Sequence, residues 1–220
     1  MPTRTDHELF ELMRTHLFSA IIGDVLDLHG RHHQFLMPEC RPLRPGMVVC
    51  GRALTVYETD VAGPVDPPFG LMLKALDSMR QDEVYVASGS SPRYALWGEL
   101  MSTAARARGA AGAVLAGYTR DTNGILEMDF PVFCYGSYAQ DQKGRGSVAD
   151  FRIPLEIHGV HVNPGDIVFG DMDGVVILPQ EIEADVIDHA LDRVKKEKTA
   201  KKLLLDGALA ETVFLETGVL

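Results

Sequence analysis

The chain has 220 residues, 46% of them hydrophobic, enough for one sizeable core and too few for two independent ones. A formal charge of −10 excludes the clustered Lys and Arg of a nucleic-acid or anionic-membrane surface. Cys40, Cys50 and Cys134 are odd in number, far apart and without a CxxC pair, which argues for a reducing compartment and against a disulfide framework or structural zinc.

The N-terminal stretch MPTRTDHELFELMRTHLF is charged throughout and lacks the apolar core of a signal peptide. No run reaches the roughly 18 apolar residues needed to span a bilayer. The expectation is a soluble, cytoplasmic protein with no membrane and no nucleic-acid partner.

Residues 6–18 place Leu9, Leu12, Met13, Leu17 and Phe18 at helical spacing after a Thr5 or Asp6 cap. Ser19 reads as a second cap, opening a short helix that ends near Gly30. His32, His33 and Glu39 follow in a Pro-rich loop, where adjacent histidines point in opposite directions and seldom share a metal. From Met47, MVVCGRALTVYET reads as an alternating β-branched strand. The Pro/Gly-rich loop from Val61 to Phe69 is of a length that often borders a site. A helix over 71–79 precedes a short apolar strand, Val84 to Ala87.

Ser88–Arg93 resembles a phosphate cradle only superficially, having neither GxxxxGK[ST] nor GxGxxG. A helix ending at Arg108-Gly109 and the apolar run Ala110–Gly117 complete a βαβ unit over 84–117. A short helix after Thr122 and a buried strand over 130–134 come next. GSYAQDQKGRGSVAD is polar and Gly-rich and reads as a loop. From Ile153, period-2 segments separated by Asn163-Pro164-Gly165-Asp166 and Asp173-Gly174 predict antiparallel hairpins. Gln180 to about Leu205 reads as one long helix, and the basic cluster Lys195 to Lys202, interleaved with Glu197, as its solvated face. A last short helix ends the helical tail over 180–220. The expected fold is one α/β domain over 1–220, with a βαβ core and antiparallel hairpins.

The chemistry concentrates between Trp97 and Asp121. In an open α/β unit, ligands collect beyond the carboxyl ends of parallel strands. If a helix starts near Gly98, the N–H groups of Glu99, Leu100 and Met101 lack helical partners and favour an anion. Gly98 offers no side chain to block its approach. Arg120 supplies a planar fork for a carboxylate. Asp121 can ligate a hard divalent cation, with Glu99 holding a metal-bound water. Two bland alternatives stand beside this. Arg120-Asp121 can be a loop salt bridge, and the helix can instead begin at Ser91-Pro92, which buries Gly98 in mid-helix.

Glu99, twenty residues and then Arg120-Asp121, set in ALWGELMSTAARARGAAGAVLAGYTRD, resembles the core motif of the RraA-like family, which includes class II 4-hydroxy-4-methyl-2-oxoglutarate aldolases. The likeness extends to ALTV at 53–56, PGDIVFGDMDGVVILP at 164–179 and the LLLDGALAETVFLETGVL ending, and so covers nearly the whole chain. The resemblance implies a swivelling β/β/α-type fold assembled as homotrimers or hexamers, with active sites at subunit interfaces. It implies that Gly98, Glu99, Leu100, Met101 and Arg120 bind a small 2-oxo acid, that Asp121 holds Mg²⁺ or Mn²⁺, and that Arg120 and Glu99 act in catalysis. The characterised aldolases usually carry Asp where this chain has Glu99, and a carboxylate from a neighbouring subunit is expected too. The implied reaction passes through a pyruvate enolate, which oxaloacetate decarboxylation shares. No Schiff-base lysine stands in the βαβ unit, and Lys74 reads as an exposed helix residue. Two alternatives remain: a non-catalytic regulator that binds and inhibits a ribonuclease, and a phosphohistidine module using His158 or His161.

Overall fold

The computed structural model describes residues 5–220, so the first four residues of the charged N-terminal stretch lie outside the described chain. Thr5 and Glu8 cap helix α1 (Asp6–His16) reciprocally, each side chain taking the other's backbone N–H. Helix α2 (Ser19–Leu28) corrects the reading of Ser19. Phe18 occupies the cap position, and Ser19 donates its N–H and hydroxyl to the Asp171 carboxylate at 2.7 and 2.6 Å.

Strands β1 (Arg41–Pro42) and β2 (Val49–Asp60) follow, then helix α3 (Met72–Asp77) and β3 (Glu83–Ser88). Next come β4 (Ala95–Trp97), α4 (Glu99–Ala107), β5 (Gly112–Leu115), β6 (Tyr118–Thr119), α5 (Thr122–Glu127) and β7 (Val132–Cys134). The last third holds β8 (Gly146–Phe151), the hairpin β9 (Leu155–Ile157) to β10 (Val160–Val162), and the hairpin β11 (Ile167–Asp171) to β12 (Gly174–Leu178). A 3₁₀ turn over Gln180–Ile182 leads into α6 (Glu183–Leu205), and α7 (Ala210–Thr217) ends the tail.

One mixed eight-stranded sheet runs β1-β7-β5-β3-β2-β11-β12, with β8 added along the far half of β2. Its centre, β2-β3-β5-β7, is parallel, as the βαβ reading of 84–117 requires. Strand β2 is not an alternating strand. It is buried on both faces for most of its length because Leu54 and Val56 pack into one core while Val49 and Ala53 pack into another, and both its edges are paired, one by β3 and the other by β11 and then β8. Alternate residues of β3 therefore feed two cores. Tyr85 and Ala87 join Trp97 and Met72 under α3 and α4, and Val84 and Val86 join Val114 and Ile177 behind the sheet. A third cluster packs Phe10, Ile22 and Val186 against β11 and β12.

Two further corrections bear on the site. Residues 146–150, read as the end of a polar loop, belong to β8 and pair with β2. Between β3 and α4 lies β4, which pairs in parallel with β6. Arg120-Asp121 thus leaves a short side ribbon rather than the central sheet.

Candidate functional site

Helix α4 begins at Glu99 with Gly98 as its cap, so the late-start reading holds and the Ser91 start does not. No side chain caps it. Its first-turn N–H groups, on Glu99, Leu100 and Met101, are left without intrahelical carbonyls. The β4–β6 ribbon fixes what faces them: Arg120 N–H and the Thr119 hydroxyl donate to the Trp97 carbonyl at 2.9 and 3.2 Å. Below, the Trp97 indole N–H donates to Ser102 Oγ at 2.6 Å, and Ser102 in turn donates to the Gly98 carbonyl at 3.1 Å. The glycine carbonyl is held from beneath by a buried chain of hydrogen bonds.

Gly98 is extended (φ −161°), a conformation open to any residue, so space and not torsion explains the glycine. A Cβ there would lie 2.8 Å from Asp121 Oδ2 and 3.4 Å from Arg120 Cγ. The two residues separated from Gly98 by more than twenty positions are thus packed directly on it. The structure brings together Gly98, Arg120 and Asp121.

Asp121 caps α5 with a left-handed backbone (φ 54°), which Asp tolerates better than most residues. A capping aspartate ordinarily accepts a hydrogen bond from its own helix, and this one does not. Its carboxylate instead stands 3.6 Å from Arg120 Nε, and Asp141 Oδ1 stands 3.4 Å from Arg120 Nη1. All three side chains are part-exposed. Glu99 is exposed, and its carboxyl lies over Gly124 so closely that a Cβ on Gly124 would sit 2.2 Å from Glu99 Cδ.

Gly98, Leu100, Met101, Arg120 and Asp121 line a cleft of about 310 Å³, of which the Glu99 side chain is not part; Phe69, Met72, Leu96 and Trp97 give it an apolar wall, and Arg120, Asp121, Asp141 and Gln142 a polar one. A small acid with one apolar face fits that division. The larger hollow nearby, about 740 Å³, is lined by Arg93, Tyr94, Tyr118, Tyr138 and Arg145 and holds none of the Gly98, Arg120 and Asp121 trio. Asp141 and Gln142 were not legible as site residues. They sit in a stretch that reads only as polar loop.

One guanidinium flanked by two carboxylates leaves an excess of negative charge, and Asp121 has no backbone donor occupying it. Among the described residues no group of three His, Cys, Asp or Glu forms a cage. A carboxylate free of its own helix at a cleft mouth suits a cation such as Mg²⁺, which keeps most of its waters and takes one or two carboxylates plus substrate oxygens. The residues present fit such an ion.

The remaining sequence candidates lie apart from this cleft. His32 pairs with Asp27 at 3.1 Å, and His33 and Glu39 are exposed. Lys74 is exposed on α3. His158 takes part in a 3.0 Å hydrogen bond with the Tyr135 hydroxyl in the β9–β10 turn, and His161 is exposed. The three cysteines are buried free thiols; burial pushes Cys40 and Cys50 up to about 12.

Below the cleft, Glu58 is fully buried, and burial raises its carboxyl to about 8. The folded protein keeps this proton up to that pH, whereas the unfolded chain releases it near the ordinary glutamate value of 4.5. Stability contributed at this position therefore falls as pH rises from about 4.5 to about 8, at up to about 1.4 kcal/mol per pH unit. Glu58→Gln stays neutral throughout. In urea unfolding, its stability relative to the parent should increase steadily from pH 5 to pH 8; a pH-independent difference would contradict the assignment.

The comparisons with known proteins converge on one group. A family model described as RraA-like, Aldolase/RraA, matches residues 19–177. Protein DlpA of Legionella pneumophila is 30% identical over 88% of this chain, but the chain spans only 31% of that protein's length. A Halalkalibacterium halodurans protein provisionally named a 4-hydroxy-4-methyl-2-oxoglutarate aldolase is 30% identical over 66% of this chain and 69% of its own length. Among solved structures, an uncharacterized protein from Pseudomonas syringae pv. tomato superposes with a TM-score of 0.85 at 27% identity, covering 98% of this chain and 97% of that one.

Proposed function

Because the chain belongs to the RraA-like family, we propose that the Gly98–Arg120–Asp121 cleft is the site of a divalent-metal-dependent lyase acting on a 4-hydroxy-2-oxo acid. 4-Hydroxy-4-methyl-2-oxoglutarate is the substrate in the names of two relatives, and oxaloacetate decarboxylation, which passes through the same enolate, is the companion activity of this reading. The observation that carries the reading is the packing of Arg120 and Asp121 on the bare Cα of Gly98, at a helix start with free N–H groups.

The substrate carboxylate lies on the N–H groups of Glu99, Leu100 and Met101 and on the Arg120 fork. Arg120 also faces the 2-oxo oxygen, where negative charge develops as the C3–C4 bond breaks. Asp121 would hold Mg²⁺ or Mn²⁺, mostly through waters, and the ion would supply Lewis-acid polarisation of the 2-oxo group. Glu99 orients the water that carries away the C4 hydroxyl proton. The C3–C4 electron pair passes into the pyruvate enolate, the former C4 becomes a carbonyl, and protonation at C3 releases pyruvate. Oxaloacetate reaches the same enolate by losing C4 as CO₂, with no hydroxyl proton to remove.

Phe69, Met72 and Trp97 exclude water from the apolar side of the enolate. The protein acts as a cytoplasmic homotrimer or hexamer whose neighbouring subunit completes the cleft. The ribonuclease-regulator reading ranks second, because a docking surface has no need of a left-handed Asp freed from its own helix.

The test is pyruvate release from 4-hydroxy-4-methyl-2-oxoglutarate and from oxaloacetate, with Mg²⁺ or Mn²⁺ and with EDTA. Metal-dependent turnover is expected; equal rates in EDTA, or no turnover of any 2-oxo acid beside capture of a ribonuclease, would overturn the proposal. Glu99→Gln should lower kcat about 100-fold with KM little changed, measured under saturating metal. An unchanged kcat would remove Glu99 from the proton path.

A further inference from the structure

The polar wall of the cleft is a short segment, residues 140–142, tied down at both ends. The Gln140 carbonyl accepts from Ala95 N–H at 2.8 Å, and the Gln142 carbonyl accepts from Arg145 and Gly146 N–H at 2.8 and 2.9 Å. Between these ties sits Asp141, whose carboxylate stands 3.4 Å from Arg120 Nη1. The side chain of Gln142 turns inward, almost fully buried, and donates to Glu58 Oε2 at 2.7 Å.

Glu58 is an unusual residue to find there. It stands on β2 at the register shift against β8, opposite Val148, where Ala149 is the extra residue on β8. Among the described residues its other oxygen, Oε1, has no partner, and neither does the buried hydroxyl of Tyr85 nearby. Unpaired polar atoms in a core cost stability, and an apolar side chain such as methionine would leave fewer of them at this place. Packing does not account for the carboxyl.

We propose that Glu58 is a positioning residue for the Arg120 cleft: through Gln142 it fixes the 140–142 segment, and through Asp141 it sets the plane of the Arg120 guanidinium. This inference rests on the proposed reading of the cleft. The chain of contacts is Glu58 to Gln142 by a 2.7 Å hydrogen bond, one peptide unit to Asp141, and Asp141 to Arg120. Displacing a binding group by about 1 Å can cost about 100-fold in rate, so a residue that touches no substrate can still govern turnover.

Three variants test it. Glu58→Met keeps the volume and removes the acceptor; Glu58→Gln keeps a carbonyl for Gln142; Gln142→Met removes the donor from the other side. Glu58→Met and Gln142→Met should lose about 10- to 100-fold in kcat/KM on a 2-oxo acid, with KM rising more than kcat falls, while Glu58→Gln stays within about threefold of the parent. Hydrogen exchange of the Arg145 and Gly146 amides should quicken in both Met variants and not in Glu58→Gln. Parental kcat/KM in Glu58→Met, or loss in Glu58→Gln equal to that in Glu58→Met, would overturn the proposal. So would unchanged exchange at those two amides, which is measured without substrate. Failure of the parent protein to turn over any 2-oxo acid would sink the reading of the cleft, and the exchange experiment would still decide whether Glu58 holds the segment.

Discussion

Arg120→Ala should lower kcat/KM for a 4-hydroxy-2-oxo acid by about 1,000-fold or more while leaving the fold intact. The guanidinium is asked to bind a carboxylate and to stabilise charge that appears only as the C3–C4 bond breaks. Removal of one such preorganised donor typically costs 100- to 1,000-fold, and loss of the carboxylate contact adds to it. Stability should change little, since Arg120 is 38% exposed and its side-chain ion pairs, to Asp121 and Asp141, are 3.6 and 3.4 Å long. Arg120→Lys should recover only part of the loss, because a lysine supplies charge without the planar fork. Asp121→Ala should match the loss and also abolish any response to added Mg²⁺ or Mn²⁺. An active Arg120→Ala protein with a parental melting temperature would remove Arg120 from the reaction.

The second large effect is expected from a single methyl group. Gly98→Ala places a Cβ 2.8 Å from Asp121 Oδ2, and the backbone at φ −161° accepts alanine without strain. The atom that must yield is the end of a side chain, so the fold can absorb the change by moving the carboxylate. Activity should fall about 100-fold, with a melting temperature within a few degrees of the parent. Gly124→Ala makes a useful comparison. It forces the Glu99 carboxyl away instead and should reproduce the kcat defect of Glu99→Gln. Parental activity in Gly98→Ala would show that the tight packing of Gly98 on Asp121 has no functional weight.

Much of this was readable from the chain because it depended on local chemistry. The βαβ unit over 84–117 follows from a continuous apolar run and a Gly stop, and the β11–β12 hairpin from its Asp-Gly turn; Pro164-Gly165-Asp166 instead links β10 to β11, and the other hairpin turns at His158-Gly159, inside LEIHGVHV, which reads as one segment. Gly98 as the start of α4 was one of two readings, and the structure selects it. What the chain concealed depended on distant partners. Ala95–Trp97 and Tyr118–Thr119 are too short to show a period, and they become strands only by pairing with each other. Residues 146–150 look like loop because three of the five have no apolar side chain to bury; β2 makes them a strand. Glu58 and Gln142 are 84 positions apart, and nothing local marks either as a neighbour of Arg120. The family resemblance pointed to Gly98, Glu99, Arg120 and Asp121, whereas Asp141, Gln142 and Glu58 required the packing.

The central claim is that this cleft stabilises a pyruvate enolate, and that step can be watched without knowing the physiological substrate. Pyruvate incubated with the protein in D₂O, followed by NMR of its methyl group, should exchange its methyl protons when Mg²⁺ or Mn²⁺ is present. Exchange should stop with EDTA and in Arg120→Ala. Methyl protons that persist at the protein-free rate with metal present, or exchange that continues unchanged in Arg120→Ala, would contradict the account.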